Sequence, residues 1–215
     1  LHTIMEDHKF GASGDTVVIE EFLEGPEVSV LSFTDGKVVR PMVSSMDHKR
    51  ALDGDKGLNT GGMGTVAPNP YYTEEVSKQC MEQIFRPTIE AMAAEGRAFK
   101  GCLYFGLMLT KDGPKVIEYN SRFGDPETQV VLPLLEGDLL EIMRATTDGT
   151  LADVKFSFRD EAACCVVAAS DGYPLSYEKG FEIKLPEEHE LIYIAGSKLK
   201  DGKQVTSGGR VLGVV

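Results

Sequence analysis

Residues 116–128 read VIEYNSRFGDPET, and the reading of the whole chain turns on them. Glu118, Asn120 and Arg122 stand at i, i+2 and i+4, so an extended strand points all three side chains to one face. A core strand has no use for such a face. A carboxylate beside an amide oxygen offers hard ligands to a magnesium ion that carries phosphates, and an arginine one step further can fork onto an oxyanion. The plainer alternative is a solvated strand face with a local Glu–Arg pair. Directly after it, Gly124 permits a sharp turn and Pro126 opens a helix, which places Glu127 and Thr128 in the first turn. Asp125 then stands in the loop, free to receive an ammonium group or to cap the helix.

The surroundings narrow the choice of partner. Lys and Arg number 22 against 34 Asp and Glu, a net charge of −12, and the pI is near 4.8. Neither duplex nucleic acid nor an anionic membrane suits such a chain, because no basic tail is present to grip it. Anionic small molecules fit only where cations are locally gathered. No apolar run has the length of a membrane span, and the N-terminus does not read as a secretory signal. The opening LHTIMEDHKF lacks an initiator Met and reads as the tail of a helix under way, so a piece of a longer protein is expected. Cys80, Cys102, Cys164 and Cys165 show no metal-ligand spacing, and a reduced, cytoplasmic protein follows.

Working outward, residues 16–19 (TVVI) are a short β-branched run, and residues 28–33 and 38–41 form a hairpin about a glycine turn. Residues 42–73 are polar, glycine-rich and aperiodic, a length that needs a functional reason inside a compact domain. Apolar residues from Thr73 to Glu95 recur at helical spacing, with Pro87 bending or dividing the helix. Residues 102–109 and 115–120 read as an antiparallel pair, and a helix is expected from Glu127 to about Ala145. Beyond Asp148-Gly149-Thr150 the texture changes to short strands and turns, which predicts a small β-rich unit.

Three further segments could carry chemistry. In IEEFLEGPE (19–27) an extended hinge offers its backbone to the edge of a flat heteroaromatic ring. Glu20 can accept from an exocyclic amine, Glu27 from sugar hydroxyls, and Phe22 and Leu23 supply apolar contact. In DHKR (47–50) an acid, an imidazole and two cations are packed together. Lys49 and Arg50 could hold a phosphoester or acyl phosphate, with His48 donating to a phosphate or pairing with Asp47. In NTGGMG (59–64) three glycines in four positions suit a loop whose N–H groups converge on an anion, although it matches neither a regular phosphate loop nor a dinucleotide fingerprint.

Taken together and in this order, IEEFLEGPE, DHKR, NTGGMG, EYN and RFGDPET resemble the glycinamide ribonucleotide synthetases of the ATP-grasp superfamily. SGGRVL (207–212) resembles that family's closing strand, so the resemblance covers essentially the whole chain. It implies an α+β ATP-grasp fold: the end of a lid over residues 1–18, the main ATP-grasp subdomain over 19–149, and a small β-rich C-terminal domain over 150–215. It implies ATP-dependent joining of glycine to 5-phosphoribosylamine in purine biosynthesis, through a glycyl phosphate. Glu20, Glu21, Phe22 and Leu23 would frame adenine and Glu27 would bind ribose. Glu118 and Asn120 would hold Mg2+ or Mn2+. Arg122, Asp125, Lys49 and His48 would act at the reacting groups, while Asp47, Arg50, Asn59, Thr60, Gly61, Gly62 and Pro126 would border the substrates. The resemblance further implies a monomer when full length, or part of a multifunctional purine enzyme. Two departures stand out. The strand before Glu118 lacks the further metal carboxylate common in the superfamily, leaving phosphates and water, Asp112 or a loop residue to compensate, and the resemblance implies an upstream domain and most of a lid that are expected outside this sequence. Weak or absent catalysis by the chain alone is expected. A different carboxylate–amine ligase, or a non-catalytic nucleotide-binding module, are the competing readings.

Overall fold

The strand Glu27–Thr34 (EVSVLSFT) is buried at every residue after Glu27, and the architecture is organised around it. The structure, a computed structural model, describes residues 1–215. In chain order the elements are α1 (His2–Met5), β1 (Glu27–Thr34), β2 (Val39–Pro41), β3 (Met46–Asp47), β4 (Arg50–Leu52), β5 (Lys56–Asn59) and β6 (Gly64–Ala67). There follow α2 (Glu74–Cys80), α3 (Arg86–Ala94), β7 (Gly101–Thr110), β8 (Gly113–Asn120), α4 (Thr128–Val131), β9 (Leu135–Glu136) and α5 (Leu139–Asp148). The last are β10 (Ser157–Phe158), β11 (Ala163–Ala169), β12 (Ile192–Ile194), β13 (Ser197–Lys200), β14 (Lys203–Thr206) and β15 (Arg210–Val214).

The first sheet has the order β2-β1-β7-β8, with β1 antiparallel to β7 from Glu27 opposite Met108 to Thr34 opposite Gly101. Because side chains alternate across a strand, this sheet feeds two cores. On one face Val28, Val30, Leu103, Phe105 and Leu107 pack against Cys80, Ile84, Phe85 and Ile89 of the α2–α3 segment. On the other, Leu31, Phe33, Cys102 and Tyr104 pack against Val130, Val131, Leu134, Ile142 and Ala145. A β-bulge at Gly106/Leu107 shifts the β7–β8 register, setting Gly106 opposite Glu118 and Leu107 opposite Val116.

The second sheet has the order β12-β15-β11-β6-β3. β11 lies between β6, with Cys165 opposite Thr65, and β15, with Val167 opposite Gly213. The β-rich C-terminal stretch therefore completes a sheet that β3 and β6 begin. No helix is long and apolar enough to cross a membrane.

Several element expectations need correcting. Residues 16–19 pair with nothing, and Val18 and Ile19 are exposed, so β-branched composition alone did not make a strand. The segment over 73–95 is helical from Glu74 to Ala94 without a break, and the irregularity in it is a π turn at Met81–Phe85 just before Pro87. The single helix expected from Glu127 to Ala145 is two. Pro133 and Gly137 interrupt it, Gly137 at φ +152°, where a side chain would collide with Phe156. Asp138 then restarts the chain as α5 by accepting from the N–H groups of Leu140 and Glu141, and α5 runs on to Asp148.

Candidate active site

The end of β8 and the turn after it, the DHKR turn after β3 and the NTGGMG loop converge on one small polar cavity of about 170 Å3. Asp47, Lys49, Thr60, Gly61, Glu118, Asn120, Arg122 and Asp125 line it, together with Tyr104 and Glu127. The strand face read from sequence holds: Asn120 Nδ2 donates to Glu118 Oε1 at 3.0 Å, and Arg122 Nη2 donates to Asn120 Oδ1 at 3.4 Å. Gly106 keeps the opposite strand out of the way, since a Cβ there would come within 3.1 Å of Glu118 Cγ. Asp112 lies in the β7–β8 turn, outside the cavity lining.

A second cavity of about 390 Å3 lies beside the hinge, lined by Glu20, Glu21, Phe22, Leu23 and Glu27 on one side and Met108, Lys115, Val116 and Ile117 on the other. Its apolar walls and carboxylate rim suit a flat heteroaromatic ring with polar substituents. Lys115 Nζ donates to Glu21 Oε1 at 2.7 Å, a cation that the sequence reading passed over. The two cavities are joined by Lys49, whose Nζ donates to Glu27 Oε2 at 2.7 Å. Burial disfavours the Lys49 charge, but Glu27, Asp47 and Glu118 outweigh it, and the ammonium is held above the usual lysine range.

Asp47 is the most perturbed acid of the site. Burial, then the charge of Glu127, raises its carboxyl to about 7, against the opposing pull of Lys49 and Arg210. Its Oδ1 is buried and has no hydrogen-bond partner. Gly62, at φ +109°, passes so close that a Cβ would sit 2.6 Å from Asp47 Oδ1 and 2.6 Å from Pro126 Cδ, and only glycine fits between them. Glu127 is itself buried and accepts from the Tyr104 hydroxyl at 3.0 Å, which in turn lies 2.6 Å from Ser29 Oγ. Burial, then Glu127, pushes the Tyr104 phenol well above its usual range, so it remains a donor.

The remaining expected residues fall outside this cavity's lining. His48 is exposed and contributes backbone bonds to residues 63 and 64. Arg50 Nη1 donates to the Gly57 carbonyl at 2.9 Å, and Arg50 pairs with Asn59 across the β4–β5 ribbon, where both are exposed. The N–H groups of the glycine loop are engaged within the protein: Thr60 donates to the Lys49 carbonyl, Gly61 to the Tyr173 hydroxyl, Gly62 to Thr60 Oγ1 and Met63 to the His48 carbonyl. In this structure the loop is a stapled turn, where composition had suggested a nest for an anion. Asp125 is held on both oxygens, by Gln129 Nε2 at 2.7 Å and Arg210 Nη2 at 3.2 Å. Tyr104 and Glu127 line the cavity, and Arg210 and Tyr173 touch the Gly61 turn that walls it; sequence reasoning named none of the four as a site residue, and Arg210 and Tyr173 lie more than a hundred residues from that turn.

Comparison with known proteins decides the family. Residues 1–128 match the model of the phosphoribosylglycinamide synthetase ATP-grasp (A) domain, and residues 163–215 match that of the phosphoribosylglycinamide synthetase C domain. The chain belongs to the phosphoribosylglycinamide synthetase family. A phosphoribosylamine–glycine ligase of Caldanaerobacter subterraneus is 51% identical over 217 residues, covering 100% of this chain and 52% of the relative. A trifunctional purine biosynthetic protein adenosine-3 of Gallus gallus is 51% identical over 219 residues, covering 100% of this chain and 22% of the relative. The crystal structure of a phosphoribosylamine–glycine ligase from Thermotoga maritima superposes with a TM-score of 0.77 at 40% identity, covering 91% of this chain and 49% of that one. The chain thus spans about half the length of the single-function relatives and about a fifth of the trifunctional one. Its α+β architecture is the ATP-grasp fold with the C domain of this family.

Proposed function

We propose that this chain carries the nucleotide and acyl-transfer part of an ATP-dependent ligase that joins glycine to 5-phosphoribosylamine, releasing ADP and phosphate, in a cytoplasmic setting consistent with four unpaired cysteines. The observation that supports it most is the joining of the two cavities by the Lys49–Glu27 pair. One cavity is shaped for a heteroaromatic ring, the other holds cations and hard oxygen ligands, and Lys49 stands where the phosphates of a nucleotide would pass from one to the other.

A carboxylate is a poor acyl donor, so phosphorylation of glycine must precede attack by the amine. Lys49 and Arg122 would offset the negative charge that spreads over the transferred phosphoryl oxygens. Glu118 and Asn120 fit a Mg2+ or Mn2+ ion by their donor chemistry, two hard oxygens on an open face. The chain has no cluster of three or more acidic, His or Cys side chains suited to a metal, so phosphates and water would complete the shell. Such an ion, when bound, would neutralise phosphate charge. Asp125 and Asp47 would border the ammonium-bearing substrate.

The reading is tested by ADP release from ATP with glycine, alanine or aspartate in the presence of 5-phosphoribosylamine, with the chain joined to the remainder of a single-function relative. Release that depends on glycine is expected, falling by roughly 100-fold or more in Glu118→Gln. Equal rates with all three amino acids, or a Glu118→Gln variant as fast as the parent, would overturn it.

A further inference from the structure

Two side chains from the C-domain part of the chain close onto loops that wall the site. Arg210, the first residue of β15, is largely buried, with 22% of its side chain exposed. Its Nη1 donates to the carbonyls of Gly61 at 2.7 Å and Asp125 at 2.9 Å, with the Gly62 carbonyl at 3.4 Å, and its Nη2 donates to Asp125 Oδ2 at 3.2 Å. The Tyr173 hydroxyl accepts the Gly61 N–H at 3.1 Å. Both backbone polar groups of Gly61 are therefore held by side chains 112 and 149 positions further along the chain.

The seating is close. A Cβ at Gly61 would lie 3.0 Å from the Arg210 guanidinium carbon, and one at Gly209 would lie 2.1 Å from the Tyr173 ring. Both groups are backed by fixed backbone, since Gly196 donates to the Arg210 carbonyl at 2.8 Å and Ser170 donates to the Gly209 carbonyl at 2.7 Å. A planar guanidinium can serve several acceptors at fixed angles, whereas an ammonium cannot reproduce that fork.

We propose that Arg210 and Tyr173 are positioning residues: a latch through which the C domain fixes the Gly61 turn and Asp125, and so sets the affinity of the site for its amino-acid substrate without touching the nucleotide cavity. The substrate half of this inference rests on the ligase reading above, while the latch itself does not.

Two measurements separate them. In the 215-residue chain without ligand, Arg210→Lys and Tyr173→Phe are each expected to speed amide exchange at Gly61 and Gly62 by roughly tenfold, with β1 and β7 amides unchanged. Tyr173→Phe removes a single hydroxyl, so it carries the test if Arg210→Lys does not fold. In steady-state assays of the joined protein Arg210→Lys is expected to raise KM for glycine roughly tenfold and KM for ATP by less than about twofold, a split that general loosening of the fold would not produce. Unchanged exchange at Gly61 and Gly62 overturns the latch. Equal rises in the two KM values overturn its role in positioning the amino acid. Absence of glycine-dependent ADP release when the chain is joined to the remainder of a single-function relative overturns the ligase reading, and the exchange result then still decides the latch.

Discussion

Asp47 shows how a single residue can be stable in one protonation state and costly in the other. Its carboxyl is raised to about 7 in the folded chain from an ordinary value of 3.8. Between those values the folded state binds more protons than the unfolded one, so this group weakens folding progressively as pH rises from about 4 to about 7. Fully ionised in both states, it would cost up to about 4 kcal/mol. Screening by residual solvent reduces the expected loss to about 1–3 kcal/mol. Asp47→Asn never ionises, so it should gain that much on the parent between pH 4 and pH 8. Urea midpoints of the two proteins at both ends of the range check this, and a difference independent of pH would remove burial of the charge as its cause. The DHKR cluster marked Asp47 as a candidate, and it lines the polar cavity. Its perturbation was not legible in the sequence, because Glu127 and Gly62 reach it only through the fold.

At the scale of elements, local chemistry decided the ends better than the middles. The side chain of Thr73 caps α2, and Gly149 ends α5 at φ +78°, the left-handed conformation that glycine adopts without strain. Asp138 is the clearest case, since its Oδ1 accepts from two otherwise free N–H groups at 2.8 and 3.2 Å. Asp138→Ala should therefore lower stability by about 1 kcal/mol, read as a fall in urea midpoint at constant slope. The same substitution at Glu141, which caps nothing, should leave the midpoint nearly unchanged. The helical spacing of apolar residues over 73–95 fits the burial of Cys80, Ile84 and Ile89. Periodicity could not report the π turn before Pro87, where Phe85 packs on Phe105, or the break at Gly137, where a side chain would meet Phe156.

At the scale of the whole molecule, the shared sheet is the feature with the largest consequence. β11 is hydrogen-bonded on one edge to β6, which follows the NTGGMG loop, and on the other to β15, which carries Arg210. Cys165 of β11 is buried in the same core cluster as Ala67, Leu31 and Phe33. Unfolding of the C-domain strands would thus open that core and release both loops at once. Amide exchange in urea at β6 and β15 should show one coincident transition, and an earlier, separate transition at β15 would show that the sheet does not couple them.

The sequence by itself marked the polar face of β8, the 19–27 hinge, the DHKR and NTGGMG segments and the family, because these rest on local periodicity and on short motifs whose residue types suit one kind of chemistry. Only the tertiary structure decided that Lys49 bridges the two cavities, that the glycine loop's N–H groups are already engaged, and that Arg210 and Tyr173 hold the loop from more than a hundred residues away. The physical reason is range. Strand alternation and helix caps act over a few residues, whereas desolvation of Asp47 and the seating of a guanidinium against Gly61 depend on which distant segments the two sheets bring together.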